Sequence, residues 1–303
     1  MMRVTLIGSG RVATHLGTAL EDKGVVIEEV YSRNKKHAKK LAKKFYDASP
    51  TDELDFTNSI AEIFIIAVAD NAIQDVADNI KLPNHKAILV HTSGGTPLEV
   101  LSGSTLYTGV FYPLQTFSFE KKIKFSEVPI CIDATAKTAL DQLALLAEIL
   151  TPKVFHLNSD ERKRLHISAV FACNFTNYLM EVSSQIIETS GLSFHELQPL
   201  VQETVDKAFS LPSPIEGQTG PAVRHDHKTI KRHLDTLEED NPKFKYLYEH
   251  LTDAIQENKG QYVNAEVIKK LEELEEQEHL QEQLNEMGNS LSEEDEDYLD
   301  LEE

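Results

Sequence analysis

The residues with the clearest chemical potential stand at the start of the chain. Met2 to Ala13 reads MRVTLIGSGRVA, and the apolar run Val4 to Ile7 leads directly into Gly8-Ser9-Gly10-Arg11-Val12-Ala13. A strand that turns through G-x-G-x-x-A into a helix leaves free backbone N–H groups at the helix N-terminus, and these bind phosphate. Gly8 allows the sharp turn, and Gly10 admits a pyrophosphate close to the backbone. Arg11 and Val12 open the helix, and Ala13 lets helix and strand pack closely. A glycine turn without a nucleotide is the plain alternative. The strand–turn–helix context favours a dinucleotide.

A second group follows the next strand, Val25 to Val30. An NAD site places Asp or Glu at the end of this strand to bond the ribose 2′-hydroxyl. Here Ser32 and Arg33 stand instead, with Lys35, Lys36, Lys39 and Lys40 beyond. A hydroxyl and a guanidinium hold a 2′-phosphate that a carboxylate would repel, so the expected cofactor is NADP. The lysines read as a solvated helix face, and Arg33 carries the inference.

Further candidates lie where later strands end, because ligands of such sheets sit beyond the carboxyl ends. Ala61 to Ala69 ends in Asp70, which either borders the nicotinamide or caps the following helix. Ala87 to Val90 breaks into His91-Thr92-Ser93-Gly94-Gly95. Thr92 is a candidate cofactor contact, and His91 and Ser93 are candidate substrate contacts. The same residues also read as a flexible turn. Thr108 to Thr116 carries Tyr112 before a proline, which forces it to be extended.

The second half of the chain reads as helical. Arg162 to Thr189 has helical periodicity and is largely apolar from Ile167 to Met180, as expected of a helix in the middle of an all-helical domain. On a regular α-helix Asn177 lies about 20° from His166 and Asn174 about 80°, so the three share a face. Polar groups there need neighbours, water or a ligand. Asn177 is a candidate substrate contact. Arg224, beside a Pro/Gly-rich loop, either clamps a substrate carboxylate or pairs with Asp226. His225 and His227 lack a third ligand nearby, so no metal site is expected.

These residues need elements to position them. Strands alternating with helices over about 150 residues indicate a Rossmann-type, doubly wound parallel α/β sheet, followed by an all-α domain. The expected boundaries are 1–152, 153–258 and a helical then disordered acidic tail, 259–303. Of the 303 residues, 41% are hydrophobic, and the formal charge is −20. Glu272 to Glu303 contains fifteen acidic residues and no Lys or Arg, leaving −5 for the rest of the chain. The lack of a basic surface argues against nucleic acid. Cys131 and Cys173, far apart, suggest neither zinc nor a disulfide framework, and a reducing cytoplasm is the expected location. No secretory signal or membrane span is expected.

The motifs GSGRVATHL, VADNAI, HTSGG, YPLQTFS, AVFACNFTNYL and TGPAVRHDHKTIKRHL together resemble the Rossmann-like NADP-dependent oxidoreductases whose helical C-terminal domain has no known function. That family resembles, distantly, pyrroline-5-carboxylate reductase and the 6-phosphogluconate dehydrogenase group. The resemblance covers about residues 1 to 257 and implies an NADP domain, a helical dimerisation domain and a cleft for a small-molecule substrate. Two positions depart from the pattern. Val170 stands where hydroxyacid dehydrogenase relatives carry Lys one turn before the active-site Asn, and Tyr112-Pro113-Leu114 stands where many members carry His-Pro-Leu. The expected function is hydride transfer to or from a C=O or C=N bond of a small anionic metabolite. Asn174 would orient the reacting group, and His166 or Tyr112 would supply the proton. A non-catalytic NADP-binding sensor is the alternative.

Overall fold

The computed structural model describes residues 2–257, so the expected acidic tail lies outside the described residues. The chain forms two compact units that divide at Tyr178/Leu179.

The first unit is built on one eight-stranded sheet. Its strands are β1 (Arg3–Ile7), β2 (Val26–Tyr31), β3 (Ser49–Thr51), β4 (Ile63–Ile66), β5 (Ile88–His91), β6 (Tyr107–Pro113), β7 (Ile130–Ala134) and β8 (Val154–His156). Their order is β3-β2-β1-β4-β5-β6-β7-β8. The first six have the strand order of a dinucleotide-binding fold, with the topological switch between β1 and β4. β4 is IFII and buried throughout, as a strand covered on both faces must be. Helices α1 (Arg11–Glu21), α2 (Lys35–Ala42) and α4 (Lys137–Glu148) pack on one face through Leu16, Leu41 and Leu143, against Leu6 and Ile65. Helix α3 (Ile73–Asn79) packs on the other through Ile73 and Val76, with Ile7, Phe64 and Ile66. Successive residues of β1 and β4 thus serve opposite layers.

The sheet is not parallel throughout. β7 pairs antiparallel with β6, in a register that sets Tyr112 opposite Cys131, and β8 pairs parallel with β7. The cause is the connection. Between Pro113 and Ile130 the only helical piece is the 3-10 turn Phe125–Glu127. Without a crossover helix the chain returns beside β6 in the opposite direction.

Helix α5 (Ser159–Ala169) begins with a capping box in which the Asn158 side chain accepts from Asp160 and Glu161, and Glu161 accepts from the Asn158 N–H. It then widens into a π-helical segment, Val170–Phe175, before α6 (Thr176–Glu188) resumes the α geometry. The expected uninterrupted helix over 162–189 is corrected in this respect. So is its expected burial, since Ile167, Phe171, Phe175 and Tyr178 are all exposed.

The second unit continues with α7 (Gln198–Ser210), α8 (His227–Asp240) and a last helix over 242–257. Val182, Leu237 and Phe244 form its small core. Ser193 caps a 3-10 turn, Phe194–Leu197, through the His195 N–H, and α7 starts only at Gln198.

Candidate active site

The glycine turn takes the geometry that phosphate binding needs. Gly8 has φ +130, and a Cβ there would lie 2.3 Å from the Ala67 carbonyl oxygen, so β1 and β4 tolerate only glycine at this point. A Cβ at Gly10 would meet nothing within 4 Å, which leaves the backbone open on that side. Gly10 is also the N-cap of α1, with no side-chain cap and no acidic residue in the first turn. Among the described residues, the first N–H groups of the helix and its positive dipole end therefore have no side-chain cap or acidic partner in the first turn.

The turn borders a groove of about 790 Å³. Gly8, Gly10, Arg11, Val12, Ser32 and Arg33 all line it, which brings together most of the expected cofactor residues. Ala13 lies beneath, fully buried. Ser9 Oγ donates to Ser32 Oγ at 3.0 Å, leaving the Ser32 O–H available to a ligand. Lys35 is engaged with Asp52 at 2.8 Å and Asn34 caps α2, and of the cations in this group Arg33 is the one that lines the groove. The Arg11 guanidinium sits 6.0 Å over the Phe119 ring, and His15 Nε2 lies 2.6 Å from the Ser118 carbonyl oxygen. These contacts hold the segment after β6 against α1, where Phe117 completes the wall.

Asp70 is exposed and begins a 3-10 turn, Asp70–Ala72, whose N-cap is Ala69. It is therefore not the cap expected of it. Thr92 turns its hydroxyl back to the Ile66 carbonyl at 3.3 Å. Ser93 Oγ accepts from the Gly95 and Thr96 N–H groups at 3.2 and 3.0 Å, folding the loop on itself. His91 is fully buried, and its Nδ1 accepts from Ser93 N–H at 3.2 Å. Burial first, and the Arg162 guanidinium second, push its imidazole down to about 4, so it is neutral. His91 and Ser93 thus shape the loop from inside.

That loop supports a pair of side chains. Tyr112 Oη lies 3.1 Å from His166 Nδ1, and the rings meet edge to face. A Cβ on Gly94 would lie 2.6 Å from Tyr112 Cζ and 2.8 Å from His166 Nδ1, so the pair rests directly on the loop backbone. Burial chiefly, with smaller repulsion from Cys131 and Asp70, pushes the Tyr112 phenol up to about 12. It remains protonated across the working range of an enzyme. Tyr112 and the Gly8 turn both stand at the carboxyl edge of the parallel strands, where ligands of such sheets bind.

The π segment changes the expected alignment of the polar residues. It admits about one extra residue and so sets back everything after it by about 100°. Asn177 leaves the line of His166, and Asn174, within the segment, moves toward it. Both are exposed. In the second unit Arg224 is exposed, and Asp226, its expected partner, instead caps α8 through Thr229 N–H at 3.0 Å. His225 and His227 have ring centroids 6.4 Å apart, and among the described residues no group of three potential metal ligands forms.

Sequence reasoning missed Gly94 as a seat and Arg162 altogether. Arg162 is 1% exposed, yet it stands in the charged stretch SDERKR, which reads as a solvated first turn.

Two family models match the chain. Residues 1–114 match a Rossmann-like domain, and residues 128–255 match a domain of unknown function, DUF2520. A crystal structure of a protein from Bacteroides fragilis assigned as an NADP oxidoreductase is 36% identical, covering 84% of this chain and 98% of that one, with a TM-score of 0.76. The chain belongs to the Rossmann-like proteins that carry a DUF2520 domain. In this member the DUF2520 match starts before β7, so β7 and β8 complete a sheet begun by the Rossmann-like part. A Thermotoga maritima protein is 23% identical over 84% of this chain and 98% of its own, with a TM-score of 0.66. A reductive aminase from Aspergillus terreus in complex with NADPH and ethyl-5-oxohexanoate is 15% identical, covers 84% and 93%, and has a TM-score of 0.64. These last two likenesses are of fold. No curated protein matches the sequence.

Proposed function

We propose that this protein is an NADPH-dependent oxidoreductase that reduces a C=N or C=O bond of a small anionic metabolite, with Tyr112 and His166 supplying the proton. The observation that carries the reading is the Tyr112–His166 hydrogen bond, held on Gly94 at the sheet edge that also bears the nucleotide turn. The names of the Bacteroides fragilis relative and of the reductive aminase support the same class.

The residues fit NADPH. The α1 N–H groups and Gly10 receive the pyrophosphate, and Ser32 and Arg33 receive the 2′-phosphate. NADPH, when bound, supplies the hydride. The protein must then provide a proton for the nitrogen or oxygen of the acceptor, so that C=X becomes HC–XH. A phenol with a pKa of about 12 is a weak acid by itself. Imidazolium at His166 donates through Nδ1–H to Tyr112 Oη while Tyr112 O–H donates to the acceptor. One proton leaves the phenol as another replaces it from His166, and the pair recharges from solvent through the partly exposed imidazole. This arrangement supplies what the Lys replaced by Val170 would have given. Asn174 orients the acceptor, and Arg224 binds its acidic end.

The exposed stripe of Ile167, Phe171, Phe175 and Tyr178 is covered by a second copy of the chain, making the protein a homodimer. Among the described residues no helix is long and apolar enough to cross a membrane.

The test is NADPH oxidation with 1-pyrroline and with short 2-oxo acids as acceptors. Turnover of either class that falls in Tyr112→Phe, with NADPH binding retained, supports the reading. Turnover that is indifferent to Tyr112→Phe and His166→Gln overturns the assigned roles.

A further inference from the structure

Arg162 stands one helical turn before His166 on α5, and its guanidinium is thinly satisfied for so buried a cation. Nη2 donates to the Thr96 carbonyl at 2.7 Å and to Ser159 Oγ at 3.3 Å. Nη1 reaches only to 3.8 Å from Asp133 Oδ2, and among the described residues neither Nη1 nor Nε makes a hydrogen bond. Burying a charge with so few partners costs stability that an apolar side chain of similar length would not. A cation buried in this way calls for a role other than packing.

The atoms it joins indicate that role. Thr96 closes the loop that starts at His91, and Ser159 is the first residue of α5. Ser159 Oγ also accepts from Leu98 N–H at 3.2 Å. The guanidinium therefore ties the loop to the first turn of α5, and Gly94, in that loop, is the seat of Tyr112 and His166. A shift of the loop against α5 would change the separation of the two side chains directly.

We propose that Arg162 is the positioning residue of the proton-donating pair, fixing the Tyr112–His166 distance by locking the Ser93–Thr96 loop to the start of α5. The proposal rests on the reading of that pair given above. Other groups face the guanidinium from each packed element: His91 from β5, Tyr112 from β6, Cys131 and Asp133 from β7, and Glu99 from the turn beyond the loop. Its charge opposes the upward push of burial on the Tyr112 phenol, which favours release of the proton.

The experiment uses the full chain with NADPH and 1-pyrroline, in a double-mutant cycle of Arg162→Lys and Tyr112→Phe. Lysine keeps the charge but loses the planar guanidinium that places Nη2 between Thr96 and Ser159. Arg162→Lys is expected to lower kcat about 10- to 100-fold with KM for NADPH unchanged, as a misplaced catalytic group does. In the Tyr112→Phe background the same change is expected to cost less than about twofold, because residues acting through one interaction are not additive. An equal loss in both backgrounds, or no loss in either, overturns the proposal. If Tyr112→Phe alone leaves turnover intact, the reading of the pair fails separately.

A second readout is independent of turnover. The Nδ1 resonance of His166 is followed in protein labelled with 15N-histidine and assigned with His166→Gln. Arg162→Lys should move it in the same direction as Tyr112→Phe does, and an unmoved resonance contradicts the proposal. If Arg162→Lys does not fold, Ser159→Ala removes one of the two tethers at a partly exposed site and takes its place in both measurements.

Discussion

Tyr112 Oη and His166 Nδ1 lie 3.1 Å apart although 54 residues separate them, one at the end of a strand and the other on a helix. Neither residue has a sequence neighbour that would bring them together. What joins them is the loop after β5, whose Gly94 leaves room for both rings.

The first prediction concerns this pair. Tyr112→Phe removes the donor and keeps the ring, and His166→Gln keeps a polar group but cannot carry an added proton. Each should lower kcat by about 10²- to 10⁴-fold, the usual worth of a general acid. Steady-state rates with NADPH and each acceptor check both variants.

Gly94→Ala tests the seat without altering either side chain. Its Cβ would approach Tyr112 Cζ and His166 Nδ1 to 2.6 and 2.8 Å, so the rings must move apart. We expect a loss of stability of about 1–3 kcal/mol from overpacking, a large fall in kcat, and unchanged NADPH affinity. Calorimetric binding and thermal melting separate these effects.

His91 should make stability depend on pH. Its folded pKa is lowered to about 4 by burial and then by Arg162, against an unfolded value near 6.5. The unfolded chain then binds more protons between these values. The stabilisation is complete above about pH 6.5 and is lost as pH falls toward 4, by about 3 kcal/mol at most. Melting temperatures of the wild type and His91→Asn between pH 4 and 7 should show the slope in the former and its reduction in the latter.

Arg224 is expected to act on the substrate alone. Arg224→Ala should raise KM for acceptors that carry a carboxylate by about 10- to 100-fold, the worth of a charge-assisted hydrogen bond. It should leave uncharged imines unaffected. Equal effects on both acceptor classes would remove Arg224 from the substrate site.

Much of the first unit is legible in the sequence because its signals are local. The run into Gly8 and Gly10, the apolar blocks at β4 and β5, and the absent carboxylate at Ser32-Arg33 each speak through neighbouring residues. β3 is Ser-Pro-Thr and β8 is Val-Phe-His, too short and mixed to stand out, and both form because a sheet edge is available to pair with. The antiparallel turn at β7 depends on the missing crossover helix rather than on any residue of the strand. The π segment depends on backbone ring size, which side-chain periodicity does not encode, so Asn174 and Asn177 could not be phased. Arg162 was hidden for a different reason. A cation among charged neighbours reads as solvated, and only the fold shows that it is enclosed.

The central claim, that the glycine turn and the Ser32-Arg33 pair hold NADPH, is tested most directly by calorimetric titration of the full chain with NADPH and with NADH. Tighter binding of NADPH, by about 10- to 100-fold and largely lost in Arg33→Ala, is the predicted result. Binding of neither dinucleotide, or a preference for NADH, would contradict the account.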